Sequence, residues 1–182
     1  PEERIIEYML GDEAGSRLIN MKLNDFADLT ASESVAPGGG SISAYVGALG
    51  ISLGCMVANL SSHKKGWDER WQEFSNWAEK GDRYKSTLLQ LVDADTAAFN
   101  KIMEAFALPK ATPEEKTART QAIQNATRYA IEIPFKVMQT AYDSMGVIKA
   151  MVIEGNPNSV TDAGVGALCA RAAVIGAFMN VR

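Results

Sequence analysis

The sequence predicts an all-α fold, an antiparallel multi-helix bundle with small-residue-rich buried helices. Three observations carry this expectation. Apolar residues recur at helical spacing, as in Trp71, Phe74 and Ala78 and again in Leu88, Leu91 and Val92. Proline, glycine and threonine stand where helices begin and end. No run alternates polar and apolar residues beside a hairpin turn.

Pro1 to Leu10 reads as a short helix, with a proline in its first turn and the acids Glu2 and Glu3 beside it. Gly11 to Ser16 is a polar, glycine-containing break. Residues 1–19 therefore read as a linker or tether helix from an upstream domain, and 20–182 as the domain proper. Leu23, Phe26, Ala27 and Leu29 make one apolar face of a short helix, which Pro37-Gly38-Gly39-Gly40 must break. The next helix, from roughly Ser41 to Ser62, is rich in Gly, Ala and Ser. Gly47, Gly50 and Gly54, like Gly164, Gly166 and Gly176 near the end of the chain, let a neighbouring backbone approach closely.

Trp67 to Phe106 is long and periodic, with Gly81 as a weak point costing about 1 kcal/mol relative to alanine. Leu108-Pro109 ends it. Thr112-Pro113-Glu114-Glu115 combines an N-cap hydroxyl, a first-position proline and two acids. That helix is expected to run toward Met145, to kink at Pro134 and to close at Gly146. A short helix, Val147 to Glu154, should follow, then a turn at Gly155-Asn156-Pro157. A last small-residue-rich helix runs from about Ser159. The chain stops at Arg182 in mid-pattern, which reads as a domain truncated at its C-terminus.

With 182 residues, 47% of them hydrophobic, the chain suffices for one well-buried domain. Lys and Arg number 18 against 22 acids, so no basic excess supports wholesale nucleic-acid binding. Cys55 and Cys169 lie far apart in apolar stretches, which suits reduced thiols, and no basic-then-apolar leader opens the chain. Both features point to the cytoplasm. Ile42 to Leu60 and Ala163 to Phe178 are apolar enough to suggest membrane spans. The first is dotted with serines and glycines and the second carries Arg171, so both read as buried helices of a soluble bundle.

Ala36-Pro-Gly-Gly-Gly-Ser41 stands before a helix. Glycines there free the backbone N–H groups for a ligand, or simply make a tight interhelical turn. It is no phosphate-binding loop of the Gly-Lys-Ser/Thr kind, and no strand precedes it.

Several motifs occur together in a fixed order: Ser34-Val-Ala-Pro-Gly-Gly-Gly-Ser41, Leu53-Gly54, Leu91-Val-Asp-Ala-Asp95-Thr-Ala-Ala-Phe99, Leu108-Pro-Lys110, Thr112-Pro-Glu-Glu-Lys116, Arg119-Thr120, Asp162-Ala163 and Asn180-Val181. This ordered set resembles the cyclodeaminase/cyclohydrolase family, in particular the cyclodeaminase half of formiminotransferase-cyclodeaminases. Glu3-Arg-Ile-Ile-Glu-Tyr8 resembles the tether from the transferase half. The resemblance implies a helical, dimeric fold with no metal or tightly bound cofactor, an upstream formiminotransferase domain and a polyglutamylated folate as partner. It implies conversion of 5-formiminotetrahydrofolate to 5,10-methenyltetrahydrofolate with release of ammonia, a step of histidine breakdown. Two alternatives stay open: a methenyltetrahydrofolate cyclohydrolase of the same fold, and a non-catalytic helical dimer scaffold.

Such a ring closure needs a base, an acid and something to tolerate positive charge, roles a carboxylate can fill. Asp95 is the first candidate, a poor helix former placed inside a helix. Asp93, two residues away, points elsewhere and reads as solvent-facing or as a supporting partner. Asp162, in the first turn of the last helix, is either a second carboxylate of the site or a dipole-favoured helix start. His63 is the one histidine, either a further catalytic candidate or a helix-end residue. With two separated cysteines, it makes no zinc site. Gly38, Gly39, Gly40 and Ser41 are the candidate substrate cradle. Lys65 and Lys110, with Lys64, Lys116 and Arg119 nearby, offer cations to a folate's glutamate tail, against the plain reading of solvated lysines. Trp67, Trp71 and Trp77 could stack on a pterin, but at helical spacing they read first as packing residues.

Overall fold

Helix formation follows the small and apolar spacing. The computed structural model describes residues 17–182, so the expected helix at Pro1–Leu10 and the break at Gly11–Ser16 lie outside the described residues. Among the described residues there are five α-helices and no strand: α1 (Leu23–Ala31), α2 (Gly39–Ser62), α3 (Trp71–Ala107), α4 (Pro113–Glu154) and α5 (Val160–Val181), with short 3-10 turns between some of them.

Helices α2 to α5 run up, down, up and down. α2 is the central member, packing against α3 and α5 as neighbours and against α4 across the bundle. Its apolar composition reflects burial: Ala44, Ala48, Ile51, Val57 and Ala58 are all in the core. The α2–α5 crossing is made by glycine. A Cβ on Gly50 would lie 2.8 Å from the Gly166 carbonyl oxygen, and one on Gly166 would lie 2.7 Å from that of Gly50. Nothing larger than hydrogen fits, so these helices approach to backbone contact. Gly164 differs from its neighbours, since a Cβ there would meet open space.

The expected starts and stops are found at the α3–α4 connection. Thr112 accepts from the Glu115 N–H at 3.2 Å, and the Glu115 carboxylate accepts from the Thr112 N–H at 3.1 Å. This reciprocal capping satisfies donors the helix itself cannot.

Several expectations need correction. α4 does not close at Gly146; it is one helix of 42 residues, continuous through Pro134 and Gly146. Val147, Ile148 and Met151, just beyond the glycine, bury in the core. Burial of such side chains stabilises by roughly 1.5–3 kcal/mol each, outweighing the ~1 kcal/mol cost of an interior glycine. α2 begins two residues earlier than expected, so Gly39 and Gly40 form its first turn rather than a loop.

Gly81 does not interrupt α3. It gives room to the Cys55 Sγ of α2. α3 and α4 both project past the start of α2, fastened by Arg119, whose guanidinium donates to the Phe106 carbonyl at 3.1 Å. Asp93 is partly exposed and does not line the cavity around Asp95. It accepts from the Leu18 N–H at 2.7 Å and from Arg17 Nε at 3.2 Å, and so docks the start of the described chain onto α3.

Candidate active site

The site forms where α2 begins. Gly38, the N-cap, is extended and brings no side-chain acceptor to the first turn. The open N–H groups there need partners from elsewhere. α3 supplies one. Asp95 Oδ2 accepts the Ser41 hydroxyl at 2.9 Å, and the carboxylate also takes the Ser41 backbone N–H. The Thr96 hydroxyl stands 3.4 Å from the Ser41 hydroxyl. A Cβ on Gly40 would collide with the Asp95 carboxylate, so the absent side chain admits the acid.

Around this carboxylate lies a cavity of about 200 Å³. Gly38, Gly39 and Gly40 form one wall, Phe99 and Ile102 of α3 a second, Ala130 and Pro134 of α4 a third, and Asn180 of α5 closes it. Asn180 Nδ2 donates to the Gly176 carbonyl at 2.9 Å. It would lie 3.5 Å from a Cβ on Gly39. All four bundle helices thus meet at one acid. Burial raises the Asp95 carboxyl from its ordinary value, and the Ser41 hydroxyl and N–H pull partly back. An acid held this way can take a proton from a substrate nitrogen and return it to another. The volume is below the ~300–1,000 Å³ of whole-ligand pockets, so the cavity has room for only part of a drug-sized molecule.

The sequence profile of the formiminotransferase-cyclodeaminase family matches residues 22–182. The chain belongs to that family. Among its relatives, the formimidoyltransferase-cyclodeaminase of Gallus gallus is 36% identical over the whole chain, and the methenyltetrahydrofolate cyclohydrolase of Methylorubrum extorquens is 35% identical over 89% of it. The chain spans 34% of the length of the former and 78% of the latter. The crystal structure of formiminotetrahydrofolate cyclodeaminase from Thermotoga maritima superposes with a TM-score of 0.76 at 28% identity, covering 88% of this chain and 76% of that one.

The helical topology separates the remaining sequence candidates from Asp95. His63 is the C-cap of α2, roughly 35 Å along the axis from Gly39. Lys65 follows it at that far end. Asp162 lies in the first turn of α5, while Asn180 in its last turn meets Gly39, a helical separation of roughly 27 Å. Within one chain, therefore, Asp162, His63 and Lys65 do not share the Asp95 cavity. Antiparallel packing puts opposite ends of successive helices together, and these three sit at the wrong ends. Lys110 lies in the α3–α4 connection, on the same side of the bundle as the cavity but about 18 Å of helix beyond Asp95. Trp67 stacks on Phe74, with ring centroids 5.5 Å apart, and none of the three tryptophans lines the cavity. Among the described residues, no group of three or more His, Cys, Asp or Glu side chains is placed to share a metal ion.

Sequence reading named the glycines, Ser41 and Asp95 but gave no role in the site to Thr96, Ala130 or Asn180. Thr96 and Asn180 stand within the motifs that carry the family resemblance, whereas Ala130 carries no single-sequence signal, because its role depends on which helix faces which. Pro134 did carry one, as an imino acid inside a helix, read as a bend.

Proposed function

We propose that this chain is a cyclodeaminase unit that converts 5-formiminotetrahydrofolate to 5,10-methenyltetrahydrofolate and ammonia, a lyase step of one-carbon metabolism that serves histidine breakdown. The observation that carries it is the half-buried carboxylate of Asp95, held at the start of α2 by Ser41 in a cavity that all four bundle helices line. The substrate's cationic formimino carbon lies beside Asp95. Folate N10 attacks that carbon, forming a C–N bond and a tetrahedral centre. Asp95 takes the N10 proton and returns it to the former formimino nitrogen. The bond from carbon to that nitrogen then breaks, ammonia leaves, and the methenyl cation remains. One proton moves from N10 to the departing nitrogen, and the overall charge is unchanged. The reaction so drawn requires acid–base work and no bound cofactor.

The rest of the reading follows from the family and the surface. The chain spans about a third of its transferase-containing relatives, which supports an upstream formiminotransferase domain joined through residues 1–19. Cations on the projecting α3–α4 hairpin, Lys110 among them, suit the tail of a polyglutamylated folate. α5 leaves Leu168 and Met179 66% and 71% exposed, an apolar face that a second copy would cover in a homodimer. α2 and α5 are both long and apolar enough to span a membrane; the reading assigns α2 to the bundle core, α5 to the dimer, and the protein to the cytoplasm.

A second reading, methenyltetrahydrofolate cyclohydrolase, is favoured by the cyclohydrolase relative, whose length this chain matches more closely. Water then attacks the methenyl carbon and the carbon–N5 bond breaks to leave the 10-formyl compound; one water proton passes to N5 by way of Asp95 and the other goes to solvent. One absorbance experiment separates the two. The purified protein is given 5-formiminotetrahydrofolate in one cuvette and the methenyl compound in another. Methenyl appearance in the first supports the deaminase, and enzyme-dependent methenyl decay in the second alone supports the cyclohydrolase. No change in either leaves only the scaffold reading.

A further inference from the structure

Proline in the interior of a helix has no N–H to give the carbonyl four residues earlier. In α4 that proline is Pro134 and the carbonyl is that of Ala130. Both residues line the Asp95 cavity. Positions four apart stack on one helix face, so the carbonyl between them lies on that same face. Pro134 is fully buried, and an apolar residue with an N–H would fill its place at much lower cost to the helix. The α4 wall of the cavity therefore carries a backbone acceptor without its usual helical donor, in a lining whose other polar side chains are those of Asp95, Thr96 and Asn180.

We propose that the Ala130 carbonyl oxygen, released by Pro134, is a substrate-binding acceptor of this cavity, and that it takes an N–H of the formimino nitrogen. A protonated formimino nitrogen carries two N–H groups. Asp95 and Ala130 then bind it from two helices, which orients the carbon between them toward N10. A formyl group, with oxygen in that place, has no N–H to offer. The carbonyl thus selects for the nitrogen-bearing one-carbon unit. This inference rests on the deaminase reading above.

The test restores the missing donor. Pro134→Val supplies an N–H with somewhat more bulk, and Pro134→Ala supplies it with less, so the pair brackets the size of the proline. Turnover of 5-formiminotetrahydrofolate is measured, together with inhibition by 5-formyltetrahydrofolate, and melting temperature reports folding. Losing one hydrogen bond to a charged group predicts a fall of about tenfold or more in kcat/KM for both variants. The inhibition constant for the formyl compound should stay within about twofold, with melting temperature unchanged or raised. Unchanged kcat/KM in Pro134→Val overturns the proposal. So does an equal loss for both ligands, which would mark Pro134 as a shaping residue only. A wild-type protein that makes no methenyl product sinks the deaminase reading and this inference with it, an outcome distinct from normal wild-type turnover with unaffected variants.

Discussion

Asp95 of α3 caps α2, accepting the Ser41 hydroxyl at 2.9 Å across a sequence gap of 54 residues. The acid is thus both a tie between helices and the reactive group of the cavity. Replacement by asparagine separates the two roles, because the amide oxygen still accepts from Ser41 while the proton-transfer capacity goes. Asp95→Asn should keep its helical circular dichroism and lose about 10²–10⁴-fold in turnover. Near-normal turnover would remove Asp95 from the reaction.

The same variant carries a pH signature. Burial raises the Asp95 carboxyl pKa in the folded protein above its unfolded value. Relative to the unfolded chain, folding therefore shifts Asp95 toward its neutral form. Its stabilising contribution is fully present below the unfolded value of about 3.9 and is lost as pH rises through the folded value. The melting-temperature difference, wild type minus Asp95→Asn, should shrink as pH rises from about 4 toward neutrality. A difference that grows over that range would reverse the assigned cause.

Two glycines make opposite predictions. A methyl on Gly40 strikes the Asp95 carboxylate, whereas one on Gly146 meets nothing within 4 Å. Gly40→Ala should destabilise by about 1–3 kcal/mol and abolish turnover. Gly146→Ala should stabilise by about 0.5–1 kcal/mol, raising the melting temperature by a few degrees with activity unchanged. Calorimetry on the two variants checks both signs.

Thr112 and Glu115 form the reciprocal cap at the start of α4. Thr112→Ala should cost about 1 kcal/mol. Hydrogen exchange should accelerate in the first turn of α4 and remain slow around Val147 and Ile148. Uniform acceleration along the helix would show that the cap supports the whole bundle rather than its end.

Cys55 lies under Gly81, its Sγ donating to the Ala78 carbonyl at 3.7 Å. Burial, helped by Asp82, pushes its thiol up to about 11. At pH 8 only about one molecule in a thousand would hold the thiolate, the species that alkylates. Iodoacetamide labelling of Cys55, followed by peptide mass spectrometry, should be slow in the native protein and fast in urea. Equal rates would contradict the packing around Gly81.

Much of the architecture could be read from single residues. Thr112-Pro113-Glu114-Glu115 specifies a helix start because its donors and acceptors lie within four positions. Leu108-Pro109 specifies a stop for the same local reason. Gly146 misled because its local preference for a break is worth about 1 kcal/mol, less than the burial of Val147, Ile148 and Met151 around it. Asp95 and the Gly38–Ser41 stretch were legible as candidates, since an acid inside a helix and three successive glycines both run against local propensity.

The sequence by itself determined that this protein is helical, where most helices begin and end, and which acid stood out, because those properties depend on neighbours a few positions apart. Only the tertiary structure decided that Asp95 meets Ser41 while His63 and Asp162 face other ends of the bundle. It alone set Ala130 and Asn180 around the same cavity. The physical reason is that antiparallel helices convert position along the chain into height along a common axis, and the glycine contacts between α2 and α5 set that register. No local preference encodes which heights coincide.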